Sequence, residues 1–247
     1  MYTNGYIFRY AAIMVIIAAA LLSTAAMLLK PFQERNVAIE KMGGILASAQ
    51  IEGVNTENTI ELFNKYVVEE IVVNQDGDVV ESFKEGTKED GKAFKINMKK
   101  ELYNKKQGIG FELPIYVIDQ NGSKTYIFPL RGAGLWGPIW GNIALSEDFS
   151  TIKGVTFDHK GETPGLGAEI TTEAFTKQFS GKTIFDDSGI FKSIKVKKGG
   201  AKTLPTNEQI HGVDAISGGT ITSDAVNDMI ANVLEGYLPY IEKEKKK

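Results

Sequence analysis

The sequence predicts a single amino-terminal transmembrane helix followed by a mixed α+β body, and three observations carry that reading. Residues 10–29 form a 20-residue run without a charge. From Phe111 onward, short alternating segments are separated by turn residues. A last apolar-periodic stretch, Val226 to Tyr237, follows a cluster of small and hydroxyl-bearing residues. Strand runs mixed with a few helices indicate α+β rather than a strictly alternating α/β sheet.

The run Tyr10–Leu29, YAAIMVIIAAALLSTAAMLL, rises about 1.5 Å per residue as a helix and spans about 30 Å, the thickness of a bilayer core. Arg9 and Lys30 bracket it, and Tyr2, Tyr6 and Tyr10 stand where an aromatic belt would lie. Ser23-Thr24-Ala25-Ala26 offers the small residues of a signal-peptide cleavage site. Signal h-regions usually stop at about 7–15 residues, so a retained anchor is expected. Loop charges set Arg9 and the amino terminus against Lys30, Arg35 and Lys41, a weak lean toward a cytoplasmic body.

After the anchor, Pro31 opens a stalk helix in which Val37, Met42, Ile45, Leu46 and Ala49 recur at helical spacing despite Gly43-Gly44. Thr56 caps a second helix through Glu57–Lys65. Ile71-Val72-Val73, the turn Asp76-Gly77 and Val79-Val80 read as a strand pair, and the charged stretch Lys84–Lys92 as a solvated loop. Leu113–Ile118 and Thr125–Leu130 are strands joined through Asn121-Gly122, the strongest short hairpin signal. Ile139–Leu145 and Ile152–Phe157 form another pair, and Ile190–Val196 a further strand. Helices are expected at Thr172–Phe179, capped by Thr171 or Thr172, and at the carboxyl end. There Thr222 or Ser223 is the N-cap, Gly236 and Pro239 mark the end, and Glu242–Lys247 frays. The domain plan is therefore residues 1–29 as tail and anchor, 30–110 as stalk helix and α+β lead-in, 111–240 as the main domain and 241–247 as a charged tail.

Composition narrows the chemistry. The 247 residues are 43% hydrophobic and 24% charged, with a net charge of −3, ordinary for a globular chain. There is no cysteine, and the two histidines are His159 and His211. Thiolate-held iron–sulfur clusters, cysteine nucleophiles, zinc ribbons and disulfide scaffolds are excluded together. Redox chemistry would need a cofactor without metal ligands, and neither a metal site nor a catalytic side chain is expected. Both histidines read as ordinary polar residues, although His159 stands three positions before Glu162.

Fifteen of the 26 glycines fall between Gly132 and Gly219, and seven of these cluster beside polar residues in three short segments: Arg131–Gly137, Glu162–Gly167 and Asp214–Thr220. Such turns permit positive φ and bare N–H groups, which suits phosphate or flat-ring ligands. The third segment, Asp214-Ala215-Ile216-Ser217-Gly218-Gly219-Thr220, runs into a helix, so a phosphate beside Thr220 would meet unsatisfied N–H donors and the positive end of the helix dipole. It matches neither the P-loop, lacking Gly-Lys-Ser/Thr, nor the dinucleotide fingerprint.

Asp214 to Thr222 resembles the flavinylation motif of FMN-binding domains, Ser-Gly-Ala-Thr, whose final residue carries FMN through a phosphoester made by a dedicated flavin transferase. With Glu162–Gly167, Gly132–Gly137, the stalk stretch Glu34–Glu52 and the single anchor, nearly the whole chain is similar to the C-subunit family of sodium-translocating NADH:quinone oxidoreductases. Gly219 stands where that family usually has alanine. The G-subunit family of Rnf ferredoxin:NAD oxidoreductases shares two of the motifs and is the nearest competitor. The Gly-Leu-Trp segment and the stalk favour the sodium pump. A cofactor-free, membrane-tethered binding module is the alternative from another class.

The resemblance implies FMN covalently bound to Thr220, with Ser217, Gly218 and Gly219 supplying the turn and N–H donors and Thr222 capping the helix. It implies that Asp214 belongs to the signal read by the transferase. Glu162, Thr163, Leu166 and Gly167 would line the isoalloxazine ring. Leu135 and Trp136 are expected over a ring face, with ordinary core the alternative for Trp136. Lys198 would neutralise phosphate or reduced flavin, unless it is simply solvated. The implied function is electron relay from NADH toward ubiquinone as a subunit of the sodium-transporting NADH:ubiquinone reductase. Its partners would be the other subunits, the flavin transferase and the membrane, with no nucleic acid. The implied location is the bacterial inner membrane, single-pass, with the body periplasmic, against the loop-charge lean.

Overall fold

The computed structural model describes residues 3–84 and 88–246. Its first element, α1 (Asn4–Ser48), contains the charge-free run, Pro31 and the Gly43-Gly44 pair without a break. The expected stalk is therefore the continuation of the helix that carries the charge-free run rather than a second helix opened by Pro31. Proline removes one backbone N–H, and the turns on either side keep their own bonds. Residues Met1–Lys41 form one unit and Met42–Lys247 another. Within the first, an 18-residue window has a mean hydropathy of 2.6 and is wholly unburied by protein, making α1 the one helix among the described residues long and apolar enough to cross a membrane.

In the second unit, α2 (Thr59–Tyr66) follows a turn held by Asn55, whose side-chain oxygen accepts from the N–H groups of Glu57 and Asn58. Asn55, not Thr56, is thus the residue that organises this helix start. Next come β1 (Val67–Asn74), β2 (Val79–Phe83), α3 (Lys92–Lys95) and α4 (Met98–Lys106), of which the two helices have no counterpart in the expected elements. The expected solvated loop at 84–92 falls partly on residues 85–87, outside the described residues. Lys88 within it is buried, its stem covered and its ammonium donating to the Lys84 carbonyl, so that stretch is not simply solvated.

Strands β3 (Glu112–Gln120) and β4 (Ser123–Ala133) form the expected hairpin, and both turn residues have positive φ: 57° at Asn121 and 88° at Gly122. This is why Asn-Gly is favoured there. β5 (Pro138–Leu145) and β6 (Ile152–His159) complete an all-antiparallel six-stranded sheet in the order β2-β1-β3-β4-β5-β6. Period-2 alternation sends Leu113, Ile115 and Val117 to one face and Tyr116 and Ile118 to the other, and both faces are covered. Met42, Ile45 and Leu46 of α1, Ala49 just after it and Phe63 of α2 pack on the second face.

Helix α6 (Thr220–Glu244) covers the first face with Val226, Met229, Ile230, Val233, Leu234, Tyr237 and Ile241. It begins two residues before the expected cap and runs through Gly236 and Pro239 to the expected frayed tail, where Lys243 is held by Asp76 and Asp78. Gly236 is a packing residue, since a Cβ there would come 2.9 Å from Leu113 Cδ1. Helix α5 (Glu173–Thr176) continues as a 3-10 turn through Phe179. The expected strand at 190–196 shrinks to β7 (Lys195–Lys197), because Ser193 adopts φ 57° just before it. β7 pairs in parallel with β8 (Gly212–Asp214), a contact between distant segments that local pattern does not reveal.

Candidate functional site

The register Ala133↔Pro138 and Ile139↔His159 sets the β4–β5 turn beside the end of β6. The start of α6 meets them there, bringing the three glycine-rich segments to one corner. The β4–β5 turn is closed by Gly134 N–H donating to Gly137 O at 2.7 Å. In the loop after β6, the Thr163 carbonyl accepts from both Leu166 and Ala168, each at 3.1 Å, and Gly165 has φ 75°.

Glu162 joins the three segments. Its carboxylate is buried, with Oε1 accepting the Trp136 N–H at 2.8 Å and Oε2 accepting the Thr222 hydroxyl at 2.5 Å. Two glycines make room for it: a Cβ on Gly134 would lie 2.6 Å from Oε1, and one on Gly167 would lie 2.5 Å from Oε2 and closer still to Thr222 Oγ1. The Glu162 N–H donates to His159 Nδ1 at 3.2 Å, leaving the ring proton on Nε2. His159 thus ends β6 by anchoring the next loop, a polar strand-end role. His211 is likewise structural, buried with Nδ1 2.6 Å from the Thr183 carbonyl.

The third segment is a tight turn against that loop. Gly219 N–H donates to Ile216 O at 3.1 Å, and Ile216 N–H donates to the buried Ser223 Oγ at 3.0 Å. Gly218 has φ 76°, and a Cβ on it would come 2.7 Å from Leu166 Cδ2. Helix α6 opens at Thr220 with Gly219 in the cap position and no side-chain cap. Thr222 therefore does not cap the helix; it lies inside the first turn, with its hydroxyl given to Glu162. Ser223, the alternative cap residue, fastens the turn instead, a role that a serine before a helical run signals no more than a cap does.

Around this corner the apolar residues are exposed: Trp136 is 69% exposed, Leu135 49% and Leu166 41%. Trp136 is therefore not core. Ser217 and Thr163 are exposed, and Thr220 is half-buried. Asp214, though in the motif, turns elsewhere: its Oδ1 accepts the Ala201 N–H at 2.6 Å, holding the loop that contains Gly199 and Gly200. Lys198 is exposed in that same loop, which Asp214 holds through Ala201. Among the described residues, no cluster of histidines or carboxylates could hold a metal ion.

A positive-φ turn, a helix N-terminus and a rim of exposed apolar side chains suit a flat ring bearing a phosphate. The class this fold and site define is that of FMN-binding domains, and the family model so described matches residues 134–235. Relatives extend the likeness over nearly the whole chain. The C subunit of the Na(+)-translocating NADH-quinone reductase of Vibrio anguillarum is 31% identical over 85% of this chain and 82% of its own. That of Haemophilus ducreyi is 30% identical over 93% and 90%. The crystal structure of the same C subunit from Parabacteroides distasonis superimposes with a TM-score of 0.75 at 38% identity, covering 86% of this chain and 96% of that one. NqrC of Shewanella oneidensis follows at 0.67 and 27%, covering 87% and 99%. The chain belongs to the family of Na(+)-translocating NADH-quinone reductase C subunits.

Proposed function

We propose that this chain is a membrane-anchored electron-transfer subunit that carries FMN on Thr220 through a phosphoester and relays electrons from NADH toward ubiquinone within a sodium-pumping respiratory complex. The observation that carries the reading is the single corner at which Gly134–Gly137, Glu162–Gly167 and Ser217–Thr222 meet around the Glu162 carboxylate.

There Thr220 offers a hydroxyl at the first residue of α6, where helix N–H groups and the dipole favour a phosphate. Ser217, Gly218 and Gly219 give the turn that lets backbone approach it. Leu135, Trp136 and Leu166 supply apolar cover for a ring, and Thr163 with Gly167 lines its polar edge. Asp214, at the end of β8, and Lys198, on the loop that Asp214 holds, border the approach of a maturing flavin transferase. When bound, the flavin itself supplies the electron-carrying chemistry.

Residues 1–29 serve as tail and anchor, 30–110 as stalk and lead-in, 111–240 as the flavin-bearing domain and 241–247 as a tail. The anchor crosses the bacterial inner membrane once and the body stands on the periplasmic side, in contact with the other subunits. The relatives are NADH-quinone reductase subunits, which supports the NADH-to-quinone assignment over a ferredoxin-linked one.

The test is coexpression of the full chain with a flavin transferase. The denatured chain is expected to keep yellow fluorescence and to gain the mass of FMN less one water. Complete loss of flavin on denaturation overturns the covalent attachment, labelling of Thr220→Ala at the wild-type level overturns Thr220 as the acceptor, and a chain that takes up no flavin at all favours a cofactor-free module.

A further inference from the structure

We propose that Glu162 is a positioning residue for flavin attachment, orienting Thr220 through Thr222 without touching the reacting atoms; this rests on the reading above that Thr220 is the acceptor. Four hydroxyl side chains stand within seven positions: Ser217, Thr220, Thr222 and Ser223. Two of them are withdrawn. Ser223 is buried and accepts the Ile216 N–H, and Thr222 is buried and donates to Glu162.

Successive helical residues are about 100° apart, so positions two apart point to nearly opposite sides. Holding Thr222 inward on Glu162 therefore turns Thr220 outward, beside the Ser217–Gly219 turn. The same carboxylate holds the Trp136 loop through its other oxygen. One residue thus couples the acceptor helix to the loops that cover the ring. Each of its oxygens accepts from a protein donor and the carboxylate is buried, which makes it a clamp between the two segments.

In the step it serves, Thr220 Oγ forms the bond to phosphorus of a flavin dinucleotide donor. The phosphorus–oxygen bond of the donor's pyrophosphate breaks, the second nucleotide leaves as its monophosphate, and the hydroxyl proton passes to a base of the transferase. No electrons are exchanged.

The experiment is a labelling time course of the full chain with the transferase, comparing Glu162→Ala, Glu162→Gln, Thr222→Val and the Glu162→Ala/Thr222→Val pair. Covalent fluorescence is normalised to folded chain, judged by circular dichroism, and the labelled residue is mapped by mass spectrometry. Glu162→Ala and Thr222→Val are each expected to slow labelling about tenfold or more, as small misplacements of reacting groups do. The pair should be no slower than Glu162→Ala alone, since that change already breaks the contact that Thr222→Val removes. Glu162→Gln should recover most of the rate, because its amide accepts from Trp136 N–H and donates to Thr222 Oγ1. That recovery separates positioning from a general loss of fold. Wild-type rates in both single variants, multiplying losses in the pair, or a glutamine variant as slow as alanine overturns the proposal. An unlabelled wild type instead overturns the attachment reading and removes this inference with it.

Discussion

The buried hydroxyl of Tyr237 donates to the carbonyl of Pro114 at 2.9 Å, binding the middle of α6 to the sheet. The Pro129 carbonyl lies 3.4 Å from the same oxygen. The β3–β4 pairing stops at Tyr116↔Ile127, and continuing that register would set Pro114 against Pro129. Neither proline can donate an N–H, so the ladder fails there and a helix side chain takes over. Tyr237→Phe keeps the edge-to-face contact with Phe128 but strands a buried carbonyl. The expected cost is about 1–3 kcal/mol in denaturant unfolding of the detergent-solubilised chain. Burial also pushes the Tyr237 hydroxyl well above its ordinary pKa of 10.0. The native state therefore keeps its proton where the unfolded chain loses it. The contribution is full below about pH 10 and is lost as pH rises from there toward the folded value. The phenylalanine variant should show a shallower alkaline decline; an unchanged slope would show that another group controls it.

The carboxyl end of α6 is locked by a turn of the sheet. Lys243 donates to the Asp76 carbonyl at 2.7 Å and to Asp78 Oδ1 at 2.6 Å, and this hydrogen bond and charge hold the Asp78 carboxyl below its ordinary value. The unfolded chain has the higher pKa, so the contribution is present above it and lost as pH falls through the lower folded value. Lys243→Gln should lower the melting temperature slightly at pH 7, less so in high salt, with the gap closing in acid. Gly77 in the same turn has φ 74°, and a Cβ there would collide with the backbone of Pro239 and Tyr240. Gly77→Ala should cost more than about 2 kcal/mol, far beyond the lysine change. Equal melting temperatures for the two variants would contradict this packing.

What can be read from the sequence is what local chemistry decides. Asn121-Gly122 gives away its hairpin because the turn needs two positive φ values, and the uncharged run at 10–29 needs only its length. The loops of the site are also legible as places where backbone approaches something. The arrangement inside the site is not. Thr222 reads as a cap because hydroxyls before helices usually are, but a carboxylate 60 residues away claims it. Glu162 reads as a ring contact, since nothing in its own segment names its two partners. Pro31 reads as the start of a helix and Pro239 as the end of one, whereas long helices outlast one missing N–H.

Trp136 gives a prediction in which stability and function part. A tryptophan that is 69% exposed contributes little to the fold, so Trp136→Ala should unfold within about 0.5 kcal/mol of wild type. If it covers the ring of the attached flavin, the variant should show brighter flavin fluorescence in the folded state, since stacked aromatic rings quench it. The difference should vanish once both chains are denatured. Identical folded-state fluorescence would place Trp136 outside the flavin site.

The two glycines that face the clamp and the turn separate packing from motif. Gly219 stands at φ −100°, which any residue adopts, and a Cβ there would meet Ile216 Cγ2 at 3.0 Å and the Leu166 carbonyl group at 3.1 Å. Those neighbours need to move by only a few tenths of an ångström, so Gly219→Ala should fold with a loss of about 1 kcal/mol or less. Gly167 differs, because its Cβ would occupy the space between Glu162 Oε2 and Thr222 Oγ1. Gly167→Ala must break that bond or displace the loop, leaving a buried carboxylate oxygen without its donor at a cost of several kcal/mol. Labelling with flavin should follow the same order, with the Gly219 variant retaining most of it and the Gly167 variant losing at least about tenfold. The measurement is covalent fluorescence per folded chain, alongside melting temperature. If the Gly167 variant labels as fast as the Gly219 variant while melting lower, the clamp matters for stability alone and acceptor positioning must be sought in the Ser217–Gly219 turn.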